Sequence, residues 1–179
     1  RCWGGTLQLE GCTMRGNTSA LAWDAPPALV AVVNASEADV SLVESVVIDN
    51  AFVNPPDEFR AAAVICLDVL EYAVLQACEI AGNGAAGVFI GEVHPNWNMK
   101  NILIDDCLVK YNAGCGIDLS YPYYTHSTGA FDQKISEEVV DWPVHPLVTD
   151  CEIAYNTGAE KGGGVLRAVV KDSHIHHTE

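Results

Sequence analysis

Positive charge is scarce in this sequence: nine Lys and Arg stand against 24 Asp and Glu, for a formal net charge of −15 over 179 residues. Duplex nucleic acid and anionic membranes are poor partners for such a chain, because phosphate contacts need a basic face. A neutral or cationic ligand, or a bound cation, fits it better. Long hydrophobic runs are absent too, and nothing reaches the roughly 18 apolar residues that a membrane-spanning helix needs. Aromatic residues make up only 8%, which leaves Ala, Val, Ile and Leu to fill the interior. C-x-x-C pairs are missing, and the seven cysteines are odd in number. Both facts argue against a zinc site and against a complete disulfide framework.

What the sequence has instead is a repeat. The passages CEIAGNGAAGVFIG (78–91), CLVKYNAGCGIDLS (107–120) and CEIAYNTGAEKGGGVLRA (151–168) each place an Asn five positions after a Cys. Aligning Cys12, Ser45, Cys78, Cys107, Cys151 and Ser173 gives spacings of 33, 33, 29, 44 and 22. Five positions on stand Asn17, Asn50, Asn83, Asn112, Asn156 and, in the last copy, Thr178. Three positions back stand Leu9, Leu42, Leu75, Ile104, Val148 and Val170; two positions on stand Met14, Val47, Ile80, Val109, Ile153 and Ile175. Four columns in register over six copies mark a solenoid.

The two-residue period of β structure puts the −3 column on the inner face of a first short strand and the 0 and +2 columns on the inner face of a second. Asn at +5 is expected at the sharp turn that follows, since Asn tolerates the left-handed conformation. Stacked at strand spacing, such asparagines also hydrogen-bond as a ladder. A third apolar run follows each Asn (29–33, 64–67, 88–90, 117–119 and 165–166), and the segment after it varies in length. The fold class expected is therefore all-β, a single-stranded parallel β-helix solenoid of about six coils with variable loops after the third strand. The competing reading is a mixed α/β domain in which AAAVICLDVLEYAVLQACEIA (61–81) is a helix.

The C/S-x-apolar-x-x-N columns, as in CEIAGN, CLVKYN and CEIAYN, resemble the right-handed parallel β-helix family, the pectate-lyase-like superfamily that includes polygalacturonases. The resemblance spans essentially the whole chain. It implies a fold that hosts many activities, polysaccharide binding or processing among them, on secreted or cell-surface proteins. No one enzyme subfamily is matched: there is no HG, no R-x-K and no D-P-H motif, and Arg167 is the only arginine after Arg60. The chain begins at Arg1 and stops inside the repeat. It reads as one β-helix domain, 1–179, from a longer protein with adjacent domains and with any signal peptide out of view.

Four sets of residues are candidates for chemistry. Asp106, Asp150 and Asp172 share the −1 column on successive copies; carboxylates at strand spacing repel, so they either call for a cation, Ca²⁺ by preference, or stand as solvated turn residues. The segments after the third strand carry His94, Trp97, Tyr121, Tyr123, Tyr124 and His126, which suit a polysaccharide ligand because sugars offer apolar faces and hydroxyl edges together. Asp118 interrupts the strand GCGIDLS at an outward position, and Glu92 lies near the end of the equivalent strand one copy earlier. As two carboxylates flanking one groove they are candidates for an acid and base pair in glycoside chemistry. The closing His174 and His176 fall on the outward face, either as a metal-binding cluster or as a frayed end. The −4 column (Val74, Leu103, Leu147 and Val169) puts an aliphatic stripe on that face, which suits the alternative role of a non-catalytic structural or protein-interaction solenoid.

Overall fold

The computed structural model describes residues 2–20, 30–53, 61–67, 72–91, 102–119, 146–158, 163–166 and 168–178. Among them no helix occurs, and every strand pairing is parallel. The helical alternative for 61–81 is overturned: this stretch holds strands β7 (Ala61–Leu67), β8 (Ala73–Gln76) and β9 (Glu79–Ala81). Its Ala and Leu content suits a helix, but the described strands pair in register with the copies before and after, as Leu75 does with Leu42 and Ile104.

First strands are β1 (Cys2–Glu10), the second half of β4 (Val30–Val43), β8, β11 (Ile102–Asp105), β14 (Leu147–Thr149) and β17 (Val169–Lys171). Their registers pair Leu9 with Leu42, Leu42 with Leu75, Leu75 with Ile104, Ile104 with Val148 and Val148 with Val170. Second strands are β2 (Thr13–Arg15), β5 (Val46–Ile48), β9, β12 (Leu108–Lys110), β15 (Glu152–Ala154) and β18 (His174–His176), stacked as one six-stranded sheet. Here Met14, Val47, Ile80, Val109, Ile153 and Ile175 lie in line. Both sequence columns are thus cross-strand ladders.

Third strands begin with β3 (Thr18–Ala20) and β6 (Ala51–Val53), a separate pair, and continue as the first half of β4, β7, β10 (Ala86–Gly91), β13 (Ile117–Asp118) and β16 (Val165–Leu166). Because β4 is one 14-residue strand, third and first strands join there into a single sheet that runs β16-β13-β10-β7-β4-β8-β11-β14-β17. The result is a parallel β-solenoid whose core is a stack of Leu, Ile, Val and Cys: Leu42, Leu75, Ile80, Ile104, Ile117 and Ile153 are all sealed from solvent.

The corners depart from the sequence expectation. Positive φ falls not on the asparagines but one position earlier, on Gly16 (66°), Asp49 (56°), Gly82 (64°), Tyr111 (56°), Tyr155 (56°) and His177 (50°). A second corner, at −1, has Gly11, Glu44, Ala77, Asp106, Asp150 and Asp172 in the same region, with φ between 46° and 59°. Each left-handed residue swings the chain at the corner, and the residue after it is Cys or Ser at one corner and Asn, or Thr178 in the last copy, at the other. The asparagines form the expected ladder: Nδ2 of Asn17, Asn50, Asn83 and Asn112 each donates to Oδ1 of the next, at 2.9 Å every time. Each Oδ1 also accepts the backbone N–H of the preceding Asn at 3.0–3.2 Å. The second Nδ2 hydrogen goes to a backbone carbonyl, as from Asn83 to Val47 and from Asn112 to Ile80, both at 3.0 Å. Buried amides are therefore satisfied on every side.

Candidate functional site

The third strands set the stage. Along β10, Val88 and Ile90 point into the core; along β13, Ile117 does. Phe89 and Asp118, one residue out of phase, take the outer face and are paired in register. That outer face is itself covered. Phe89 is buried against Ala62, with Ala31 and Ala86 packed alongside, and Asp118 is only 7% exposed. The sequence places Asp118 correctly on the outward face, but the residue is enclosed rather than open.

Register also fixes where the aromatic segments start. β10 ends at Gly91 and β13 at Asp118, on adjacent parallel strands, so the segments that begin with Glu92 and with Ser120 leave from neighbouring strand ends. Glu92, His94, Trp97, Tyr121, Tyr123, Tyr124 and His126 themselves lie outside the described residues, as do Trp142 and His145.

Asp106, Asp150 and Asp172 occupy one corner on three successive rungs, as the spacing predicts, and all three are exposed. Thr149 Oγ1 donates to Asp150 Oδ2 at 3.0 Å, and Gln76 Nε2 to Asp105 Oδ2 at 3.0 Å. Left-handed backbone accounts for the residue type here, since Asp and Gly adopt it most readily. Among the described residues no group of three or more His, Cys, Asp or Glu side chains converges as a set of metal ligands.

All seven cysteines are free. Cys78, Cys107 and Cys151 stack in the core, each S–H directed at the backbone carbonyl two residues back, at 3.0–3.3 Å. Cys107 is pushed up by its contacts with Cys151 and with Cys78 and by burial, while Cys78 and Cys151 are lowered by their contacts with Cys107. Cys66, on β7, is pushed up to about 12 by burial alone. Sulfur here fills space and meets backbone carbonyls, as a small apolar side chain with a weak donor does.

The other corner carries a feature that the columns −3, 0, +2 and +5 do not reveal. Tyr111 and Tyr155 stack face to face, centroids 4.9 Å apart and planes 10° from parallel, and His177 continues the stack at 4.8 Å and 10°. Tyr111 is 57% and Tyr155 40% exposed. Lys110 Nζ lies 6.0 Å from the Tyr111 centroid. One rung earlier the same corner is Gly82, so the face of Tyr111 away from Tyr155 has no ring stacked on it from that rung. The sequence signal was the residue just before each Asn: Gly16, Asp49, Gly82, then Tyr111, Tyr155 and His177.

Comparison with protein-family models, with curated proteins and with solved structures brings no match.

Proposed function

We propose that this chain is a polysaccharide-binding domain built as a right-handed parallel β-helix of about six coils, of the pectate-lyase-like kind, on a secreted or cell-surface protein with adjoining domains. Right-handedness follows from the strong preference of parallel crossovers for that hand. The observation that supports the ligand reading is the Phe89–Asp118 register, which makes β10 and β13 neighbours; in the sequence the segments carrying Trp97 and Tyr121–Tyr124 follow these two strands. Flat rings beside carboxylates suit sugars, and the strongly acidic surface makes Ca²⁺ the natural bridge to a polyuronate. Processing as well as binding would fall to Asp118 and Glu92 as the acid and base pair.

The test is a binding screen of the folded chain against polyuronates and neutral glycans, with and without Ca²⁺. Binding that is lost in Trp97→Ala while folding is kept supports the reading. No binding from a folded sample overturns it, and release of shortened products would extend it to catalysis.

A second reading has its own observation. Val74, Leu103 and Leu147 are half-buried on the outer face of the first strands and Val169 is exposed, an aliphatic column that suits a structural or protein-interaction solenoid. In that case Trp97→Ala costs folding instead of binding.

A further inference from the structure

β18 places His174 and His176 outward and Ile175 inward, and the chain then turns through His177, whose φ of 50° brings its ring back alongside the rung above. There the ring lies flat on Tyr155, 4.8 Å between centroids and 10° between planes. His176 stands edge-on to both, at 79° to Tyr155 and 79° to His177. These contacts bring the two Nδ1 atoms within 2.7 Å of each other. On the other side of its ring, His176 Nε2 lies 3.6 Å from Glu152 Oε1.

A neutral imidazole carries one proton, and the charge of the Glu152 carboxylate, 3.6 Å from Nε2 of His176, favours the tautomer that holds it on Nε2. Nδ1 of His176 then offers a lone pair toward His177, and His177 Nδ1–H supplies the hydrogen bond at 2.7 Å. Two imidazole nitrogens thus face each other at 2.7 Å, one ring beside a carboxylate and the other stacked on a tyrosine.

We propose that Nδ1 of His176 and Nδ1 of His177 form a two-imidazole site for a late first-row divalent cation such as Ni²⁺, Cu²⁺ or Zn²⁺. Bonds of about 2.0–2.1 Å from one ion to two imidazole nitrogens, at a right or a tetrahedral angle, set those nitrogens roughly 2.9–3.4 Å apart, so the pair opens by about 0.2–0.7 Å while the rings turn their lone pairs onto the ion. His177 moves its proton from Nδ1 to Nε2, which frees the second lone pair without net proton release. Water fills the remaining positions, and Glu152, 3.6 Å from Nε2 of His176, stands where a carboxylate commonly supports a ligating histidine. Imidazole donors select these ions over Ca²⁺ and Mg²⁺, which separates this site from the aspartate corner. The excess of negative charge raises the local concentration of any cation.

The experiment is calorimetric titration of the whole chain with NiCl₂. One ion per chain is expected, with binding at least tenfold weaker in His176→Gln and in His177→Gln. Glu152→Gln weakens it by roughly tenfold through loss of orientation, and His174→Gln leaves it unchanged. Unchanged affinity in either of the first two variants, or no binding by the folded wild type, overturns the site. Should a variant fail to fold, paramagnetic broadening by Ni²⁺ in the wild-type amide spectrum decides independently. Broadening centred on Tyr155, His176 and His177 supports the site, and broadening centred elsewhere refutes it.

Discussion

Asn83 makes more of this protein's internal hydrogen bonds than its size suggests. Its Oδ1 accepts from Asn50 Nδ2 and from the Asn50 N–H, while its Nδ2 donates to Asn112 Oδ1 and Val47 O. Replacing it by Ala orphans buried groups on both neighbouring rungs, each at a cost of about 1 kcal/mol or more. Asn83→Ala is expected to lose about 3–5 kcal/mol in urea unfolding. A loss below 1 kcal/mol would mean that water replaces the ladder. Cys66 gives a pH dependence of definite sign. Its folded value is raised from 9.0 to about 12, so the contribution is complete below pH 9 and drains away as pH climbs from 9 toward 12, where only the unfolded thiol ionises. At pH 10.5 the wild type should have lost about 2 kcal/mol relative to pH 8 that Cys66→Ala does not lose, at roughly 1.4 kcal/mol per pH unit. Parallel pH profiles of the two proteins would discard the assignment.

At the scale of the element, the third strands are held close to the Asn ladder by glycine. A Cβ on Gly87 would lie 2.7 Å from Gly116 O, 2.7 Å from Val109 Cγ1 and 3.0 Å from Asn112 Nδ2. The first of these is backbone in the next rung, hydrogen-bonded to Val88 N at 2.9 Å, and cannot step aside. Gly116 repeats the situation against Ile153, Asn156 and Gly164. Gly87→Ala is expected to cost about 2–3 kcal/mol as overpacking, read as a lowered urea midpoint. A shift near zero would show that β10 can slide outward. The strand spacing was legible in N-x-x-x-G, written at 83–87 and again at 112–116; the reason for the glycine was not, because its neighbours come from other rungs.

For the whole molecule, the repeat spacings of 33, 33, 29, 44 and 22 in the sequence are the strand registers themselves, from Leu9 opposite Leu42 to Val148 opposite Val170. A parallel solenoid allows this because each rung meets its neighbours at equivalent positions, so a core column is also a sequence column. Columns read along the chain therefore gave the all-β architecture, the buried thiols, the Asn ladder and the exposed aspartate corner. Three things needed the assembled rungs. The fusion of third and first strands in β4 depends on one connection having no loop. The covered position of Asp118 depends on what packs outside the sheet. The left-handed corner at +4 runs against backbone preference, at about 1–2 kcal/mol each for Tyr111, Tyr155 and His177; their face-to-face stacking across rungs offsets part of that cost. Sequence alone thus determined which residues share a column, because β periodicity and the repeat are local. Tertiary structure decided which way the rings of a column turn and what they meet, because ring orientation is set by side chains 22 to 44 residues away.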